Sequence, residues 1–580
     1  MRAPHAQFFD DIRLVAAAID SQPRPSKKRP PSWKPQNIPT KRKFRVISIV
    51  SRASSPKTRG ARLVCAALAL CVPVATSAET LADAIASAYD HNPQLVQERY
   101  LQKARDEGVV QARAQYGPTV TAQTQAEHTR QWPKNPFQTE TTSQQSTLTI
   151  TQPLYASGQI RGQVAAASAA MKGGREQLRQ TEQQVIQNVI QVYAGVLRDE
   201  ARLEIGRENV EILEGQLRQN TKRNQYGDVT LTDVAQSDSR LAAAQIQLAQ
   251  LEATLAVTRA QYLQVVGHNP GKLEPLPQLG TLPPTIDSAF DLAEQNSPVL
   301  RGAQYTEEQS SANAAATRGQ RGPTISLTGE GIYTNSNLFH VGGSQAQRET
   351  IAGFTITQPI FSSGLISSRI READARNRAD QAGIDIARRQ TMESVTNAWV
   401  TLSSSRIAVT TGQRQVDSAQ AAFAGTSCEE LNGLRSTIET LNAEEELQSA
   451  QLQLVQSRYN VYVSHAALLA ATGELSAQQI ADNITVYDPE ANFKHVRYLG
   501  FTPLQLVAAG VDRIGSAPPR GKFSPDLAGG NVPRPENPGQ LAPAPGQAFM
   551  NRPLTPITKS ELKLPNGKTG RCPLNDLRNR

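Results

Sequence analysis

The 580-residue chain is 38% hydrophobic and only 5% aromatic, a composition that suits long, thin helices and argues against a thick globular core. Much of its formal charge of +9 sits near the start, in PRPSKKRPPSWKPQNIPTKRKFR, a basic, Pro-rich run that is not expected to fold. No aromatic-basic interleaving or nucleic-acid module follows it, which sets nucleic acid aside as a partner. Four cysteines, two of them in an apolar leader, are too few and too scattered for a disulfide scaffold or a metal cluster.

Residues 1–56 are read as an extension that is either not translated or not retained. In residues 57–78, Lys57, Arg59 and Arg62 precede an apolar run that ends in Ala75, Thr76, Ser77 and Ala78. This is the layout of a secretory signal peptide cleaved after Ala78. Its position implies a translational start downstream of Met1, near Val46. A lipid-modified Cys71 is the rival reading, and the bulky Leu70 before it argues against that.

From Glu79 the chain says most things twice. LADAIASAYDHNPQL begins at Leu81 and TIDSAFDLAEQNSPVL at Thr285, so Asn92 matches Asn296 at an offset of 204. Gly117-Pro118 and Gly322-Pro323 follow at 205, and TITQPLYASGQI (Thr149) and TITQPIFSSGLI (Thr355) at 206. The near-constant spacing marks an internal duplication, with repeats over 79–284 and 285–479. Residues 480–580 read as an irregular Pro/Gly-rich tail, with one short helix in YLGFTPLQLVAAGVDRIG.

Each repeat alternates polar and apolar residues after its Gly-Pro, predicting strands near 119–130, 145–157, 324–334 and 349–363. Each is about long enough for a tilted strand across a bilayer. Long helical stretches follow. Val185, Val189, Val192 and Val196 form one stripe, with Ile186, Ile190, Tyr193 and Leu197 beside it. Leu241, Leu248, Leu255 and Tyr262 recur every seven residues, as do Leu447, Leu454, Val461 and Leu468, which favours coiled-coil-like packing. No mature segment is apolar enough for a spanning helix, so any membrane crossing falls to the strands, and four strands cannot close alone.

TITQPLYASGQI, the HNP at His91–Pro93, YGDVTLTDV (Tyr226–Val234) and NGLRSTIETLNAEEELQSAQLQLVQSRYNVYV together make the chain, from about Glu79 to Gln479, resemble the TolC family of outer-membrane channels, nearest its type I secretion branch. The resemblance implies a mixed α/β membrane protein: a trimeric twelve-stranded outer-membrane β-barrel continuous with a long periplasmic α-helical barrel. It implies a homotrimer that docks a periplasmic membrane-fusion adaptor and an inner-membrane ABC transporter or proton-driven pump. The cargo is then an exported protein or a small molecule, and the chain is a cofactor-free conduit rather than an enzyme. No GxxxxGK[ST], zinc-hydrolase motif or nucleophile elbow contradicts that.

By the same resemblance the periplasmic gate falls on two helix turns, QYGDVTLTDVAQSDSR and ELNGLRSTIETLNAEE. Gly227 matches Gly433 as a helix-turn position, Asp233 matches Glu439, and Gln236 matches Asn442, all at 206. Glu439 falls at an inward acidic ring, Arg435 at a tethering arginine, and Asp233 at an opposing member of the network. Asn442 departs from the family pattern, where a second acid often stands, so one ring is expected rather than two. Cys428, His91 and His465 lack the partners that catalysis or a metal needs. Drug efflux is the alternative within the channel class. A non-channel structural coiled-coil protein is the alternative outside it.

Overall fold

The computed structural model describes residues 78–135, 138–338, 345–481, 484–514, 534–546 and 550–551. The basic extension, the signal segment up to Ser77 and much of the tail lie outside the described residues.

The first repeat runs α1 (Leu81–His91), α2 (Pro93–Ala114), β1 (Thr119–Asn135), β2 (Gln138–Tyr155), α3 (Gln159–Gln225) and α4 (Leu231–Val266). The second repeats the order: α5 (Ile286–Asn296), α6 (Pro298–Gly319), β3 (Thr324–Leu338), β4 (Gln345–Thr357), α7 (Leu365–Leu431) and α8 (Thr437–Ala471). Three short helices follow, α9 (Ala477–Ile480), α10 (Ala491–Val496) and α11 (Pro503–Val511). Both ends of α3 lie 206 residues before those of α7, and each helix has 67 residues, about 100 Å at 1.5 Å per residue.

The repeated TITQP phrase builds a strand-to-helix elbow. The strand ends near the proline, and the chain then turns through two successive left-handed residues: Ser157 (φ 51°) and Gly158 (φ 79°), or Ser363 (φ 49°) and Gly364 (φ 82°). The second residue is glycine because an L side chain is strained there. The serine is held in place in the first repeat, where its Oγ donates to the Pro323 carbonyl at 2.6 Å.

The strands form one antiparallel sheet in the order β1-β2-β3-β4. Register places Val120 opposite Ile150, Ile150 opposite Gly329, and Gly329 opposite Ala352. Alternation then puts Val120, Leu148, Ile150, Leu327, Phe354 and Ile356 on one face, while Thr, Gln and Glu dominate the other. The twelve-stranded barrel expected from the resemblance is not what the structure contains: the described residues are mostly helical, with a small four-stranded sheet that does not close. The physical reason is that β1 and β4 are edges that do not pair with each other. "Transmembrane β-barrel" is therefore the wrong description of this chain. Among the described residues, no helix is long and apolar enough to cross a membrane.

Two main cores form, one centred on each repeat, and the first also takes in Tyr462, Ala466 and Leu469 of α8. In the first, α1 and α4 pack on α3 around Val189, Ile190, Tyr193, Leu255 and Tyr262. In the second, α5 and α8 pack on α7 around Phe290, Val395, Trp399, Leu454 and Leu468. Burial of each such side chain contributes about 1.5–3 kcal/mol. Tyr193 and Trp399 are equivalent at the 206 offset, and both are covered by a connecting strap. The Tyr193 hydroxyl donates to the Glu79 and Glu274 carbonyls, each at 2.8 Å. Trp399 Nε1 donates to the Gly539 carbonyl at 3.0 Å, and Arg406 Nη1 to that of Ala542 at 2.9 Å. Part of the irregular tail is thus a structural strap over the second core.

The base of the sheet is tied to α11 through Asp512, which is 1% exposed. Its Oδ1 accepts from the Ala156 and Gly158 amides, both at 2.9 Å, and its Oδ2 from the Tyr116 hydroxyl at 3.0 Å. Burial, then the Asp512 charge, pushes the Tyr116 phenol well above its ordinary pKa, so it stays a donor. Asp512→Ala orphans two buried amides and a phenol. Local opening of the α11 segment should rise on the order of a hundredfold, equivalent to about 3 kcal/mol, as read by hydrogen exchange. Tyr116→Phe, which removes one bond, should fall between this variant and the parent.

Candidate functional site

The long helices reverse at turns some 100 Å from the sheet. Each is closed by a glycine in the left-handed region, Gly227 (φ 82°) and Gly433 (φ 72°). Behind each glycine the chain ties back to the helix: Asp228 N–H donates to the Arg223 carbonyl at 3.0 Å, and Leu434 N–H to that of Glu429 at 2.9 Å. Open space surrounds both glycines, so conformation rather than crowding selects them.

The equivalent acids Asp233 and Glu439 stand at the same helical position yet bond differently. Asp233 closes a capping box on α4, accepting from the Thr230 amide at 2.9 Å and the Thr230 hydroxyl at 2.8 Å. Glu439 instead accepts from Arg435 Nη1 and, at 2.7 Å, from the Ser436 hydroxyl. Arg435 Nε donates to Glu429 at 2.9 Å, so the guanidinium bridges two carboxylates of its own turn. The structure therefore brings Arg435 and Glu439 together, and within one chain it joins Asp233 to Thr230 rather than to Arg435. The three charged side chains Glu429, Arg435 and Glu439 leave one net negative charge at this turn.

Asn442 is engaged elsewhere. Its Oδ1 accepts from Arg240 Nη2 at 3.0 Å, while Arg240 Nη1 donates to Glu445 at 2.6 Å. Nearby, Arg223 Nη1 lies 3.6 Å from Glu430, which also accepts from Thr437 at 3.2 Å. Arg223 and Arg240 thus stitch the first repeat to the second close to the turns, beside a small apolar contact of Leu213, Ala244 and Leu441. The sequence reading missed both arginines. A signal existed: at the 206 offset Arg223 and Arg240 answer Glu429 and Glu446, so the halves carry opposite charge at matched positions. Cys428 is buried. His465 is half-buried with Nε2 on the Gly280 carbonyl at 2.9 Å. Among the described residues, no cluster of metal-ligating side chains occurs.

The Arg435 hydrogen bond, then that from Ser436, holds the Glu439 carboxyl below its ordinary range. A carboxylate depressed in the folded state contributes above its ordinary pKa and loses that contribution as pH falls through the depressed value. The turn is therefore held at neutral pH and should loosen only as pH falls below the ordinary carboxylate range, as read by hydrogen exchange at residues 432–439 across a pH series. Arg435→Ala leaves Glu429 and Glu439 without their shared cation. It should raise cation preference, measured as reversal potential across planar bilayers at low salt, while Glu439→Ala should lower it.

Comparison with known proteins places this architecture. The family model for "Outer membrane efflux protein" matches residues 84–268 and again 289–474, one match for each repeat. The chain is 29% identical over 441 residues, 75% of its length, to outer membrane efflux protein BepC of Brucella suis, of which it covers 95%. It is 25% identical over 343 residues to alkaline protease secretion protein AprF of Pseudomonas aeruginosa, covering 57% of this chain and 69% of that one. The Campylobacter jejuni CmeC outer membrane channel has a similar fold, with a TM-score of 0.61 at 15% identity over 72% of this chain and 88% of that chain. With two matches that together span more than half its length, the chain belongs to the outer membrane efflux protein family, non-catalytic channels of tripartite transport systems.

Proposed function

We propose that this chain is the outer-membrane duct of a tripartite efflux system, assembled as a homotrimer. The observation that carries the efflux reading is the similarity to BepC, which is named an efflux protein and is matched over 95% of its length. Protein secretion, the reading first drawn from the sequence, is the second reading. It is favoured by the similarity to AprF, which is named for protease secretion.

The geometry fits a conduit. The apolar face of the sheet suits contact with lipid. The helices would carry the path through the periplasm. At their far end Tyr226, Leu231, Leu431 and Leu434 are 62–83% exposed, an apolar tip suited to a periplasmic adaptor. The adaptor would join the duct to an inner-membrane pump or ABC transporter. The net negative charge left by Arg435 and its two carboxylates would set a mild cation preference at the mouth, with Asp233 and Asn442 in supporting roles.

Deleting the gene should sensitise cells to apolar drugs and detergents at least fourfold in inhibitory concentration, with the exported proteome unchanged; these phenotypes separate efflux from secretion. Loss of one secreted protein with unchanged drug sensitivity would favour the second reading. Purified protein in detergent should have the mass of three chains after correction for bound detergent, and a stable monomer would contradict the assembly.

A further inference from the structure

The segment 498–514 faces the wrong way for a water-exposed helix. Along α11, Gln505, Ala508 and Asp512 recur at helical spacing and point inward, at 8%, 2% and 1% exposure. The large apolar side chains point outward: Leu499, Phe501, Leu504, Leu506, Val507 and Ile514 are 45–71% exposed. A surface helix in water shows the opposite arrangement. The inward Asp512 carboxylate is satisfied by its three donors at the base of the sheet, so this inversion is held in place rather than frayed.

The location indicates what covers the outward face. α11 packs on the end of β2, with Ala508 against Tyr116, Ala156 and Ile160. Buried Gln152 at that end lies on the same side of β2 as Ile150 and Leu148. That side is the apolar face of the sheet, on which Val120, Phe354 and Ile356 are 62–71% exposed. The outward face of α11 therefore continues this apolar surface beyond the strand ends. Two exposed cations flank it, Arg497 and Arg513, and the Arg497 guanidinium lies 4.6 Å from the centroid of the Tyr498 ring. An apolar helix face bounded by arginines and a tyrosine is the chemistry of a bilayer interface: acyl chains take the aliphatic groups and phosphates take the cations.

We propose that residues 498–514 form an interfacial membrane anchor, with α11 lying in the lipid surface at the base of the sheet. The proposal rests on the reading of the sheet's apolar face as lipid-contacting. Leu504, Leu506 and Val507 sit in the acyl boundary, Arg497 and Arg513 face headgroup phosphates, and Asp512 fixes the helix to the strands.

The test is photo-crosslinking of the full chain in nanodiscs of phosphatidylethanolamine and phosphatidylglycerol. Benzoylphenylalanine replaces Val507 in one variant, Phe354 on the apolar sheet face in a second, and Gln123 on the polar face in a third. A phospholipid-mass adduct at positions 507 and 354, and its loss at 123, is the expected result. An adduct at 354 without one at 507 overturns the anchor and leaves the membrane reading intact. No adduct at either position overturns both. A chain-to-chain adduct at 507 also overturns the anchor. It would seat α11 instead on a second copy, where the uncovered Ile360 and Phe361, 94% and 86% exposed, are the matching surface.

Discussion

A four-stranded sheet with two open edges and one bare apolar face cannot satisfy itself. The outer sides of β1 and β4 present backbone groups unpaired within the sheet, and Phe354, Ile356 and Val120 stand bare on its apolar face. The rest of the molecule follows from that constraint. The elbows at Ser157-Gly158 and Ser363-Gly364 turn the chain straight from strand into a 67-residue helix, so the sheet sits at the end of a long shaft. Asp512 locks the base of the sheet with three hydrogen bonds, at the site where α11 adds further apolar surface.

Duplication explains both the economy and the asymmetry of the fold. The halves share element order, helix length and the covered aromatic at Tyr193 and Trp399. They differ where they must recognise each other. Arg223 and Arg240 of the first half meet Glu430, Asn442 and Glu445 of the second, and at the positions matching these arginines the second half carries Glu429 and Glu446. The matched acids Asp233 and Glu439 have diverged as well, one into a helix cap and the other into an arginine clamp. The turn on the second repeat therefore holds the local charge cluster, and the turn on the first is a plain capped reversal.

Much of this was legible in the residues. The 206 offset predicts both ends of α7 from those of α3, and the seven-residue leucine spacing marks buried Leu447, Leu454 and Leu468. Thr230-Leu-Thr-Asp233 reads as a capping box by its spacing, although the resemblance directed attention to a gate role for Asp233. Closure of the sheet was not legible, because alternation specifies a strand and its faces but not what meets its edges. Nor was the direction of α11. Its composition announces an apolar helix, and only the bonds to Asp512 reveal that the polar side is the buried one. The arginine stitches were hidden because contacts between helices depend on their relative phase, which a single helix does not encode.

A duct of this kind must form a conducting path through a membrane. The most direct test is the current across a planar lipid bilayer after addition of the purified full chain. Discrete, uniform conductance steps with mild cation preference are expected. Folded protein that associates with the bilayer and never produces a step would contradict it.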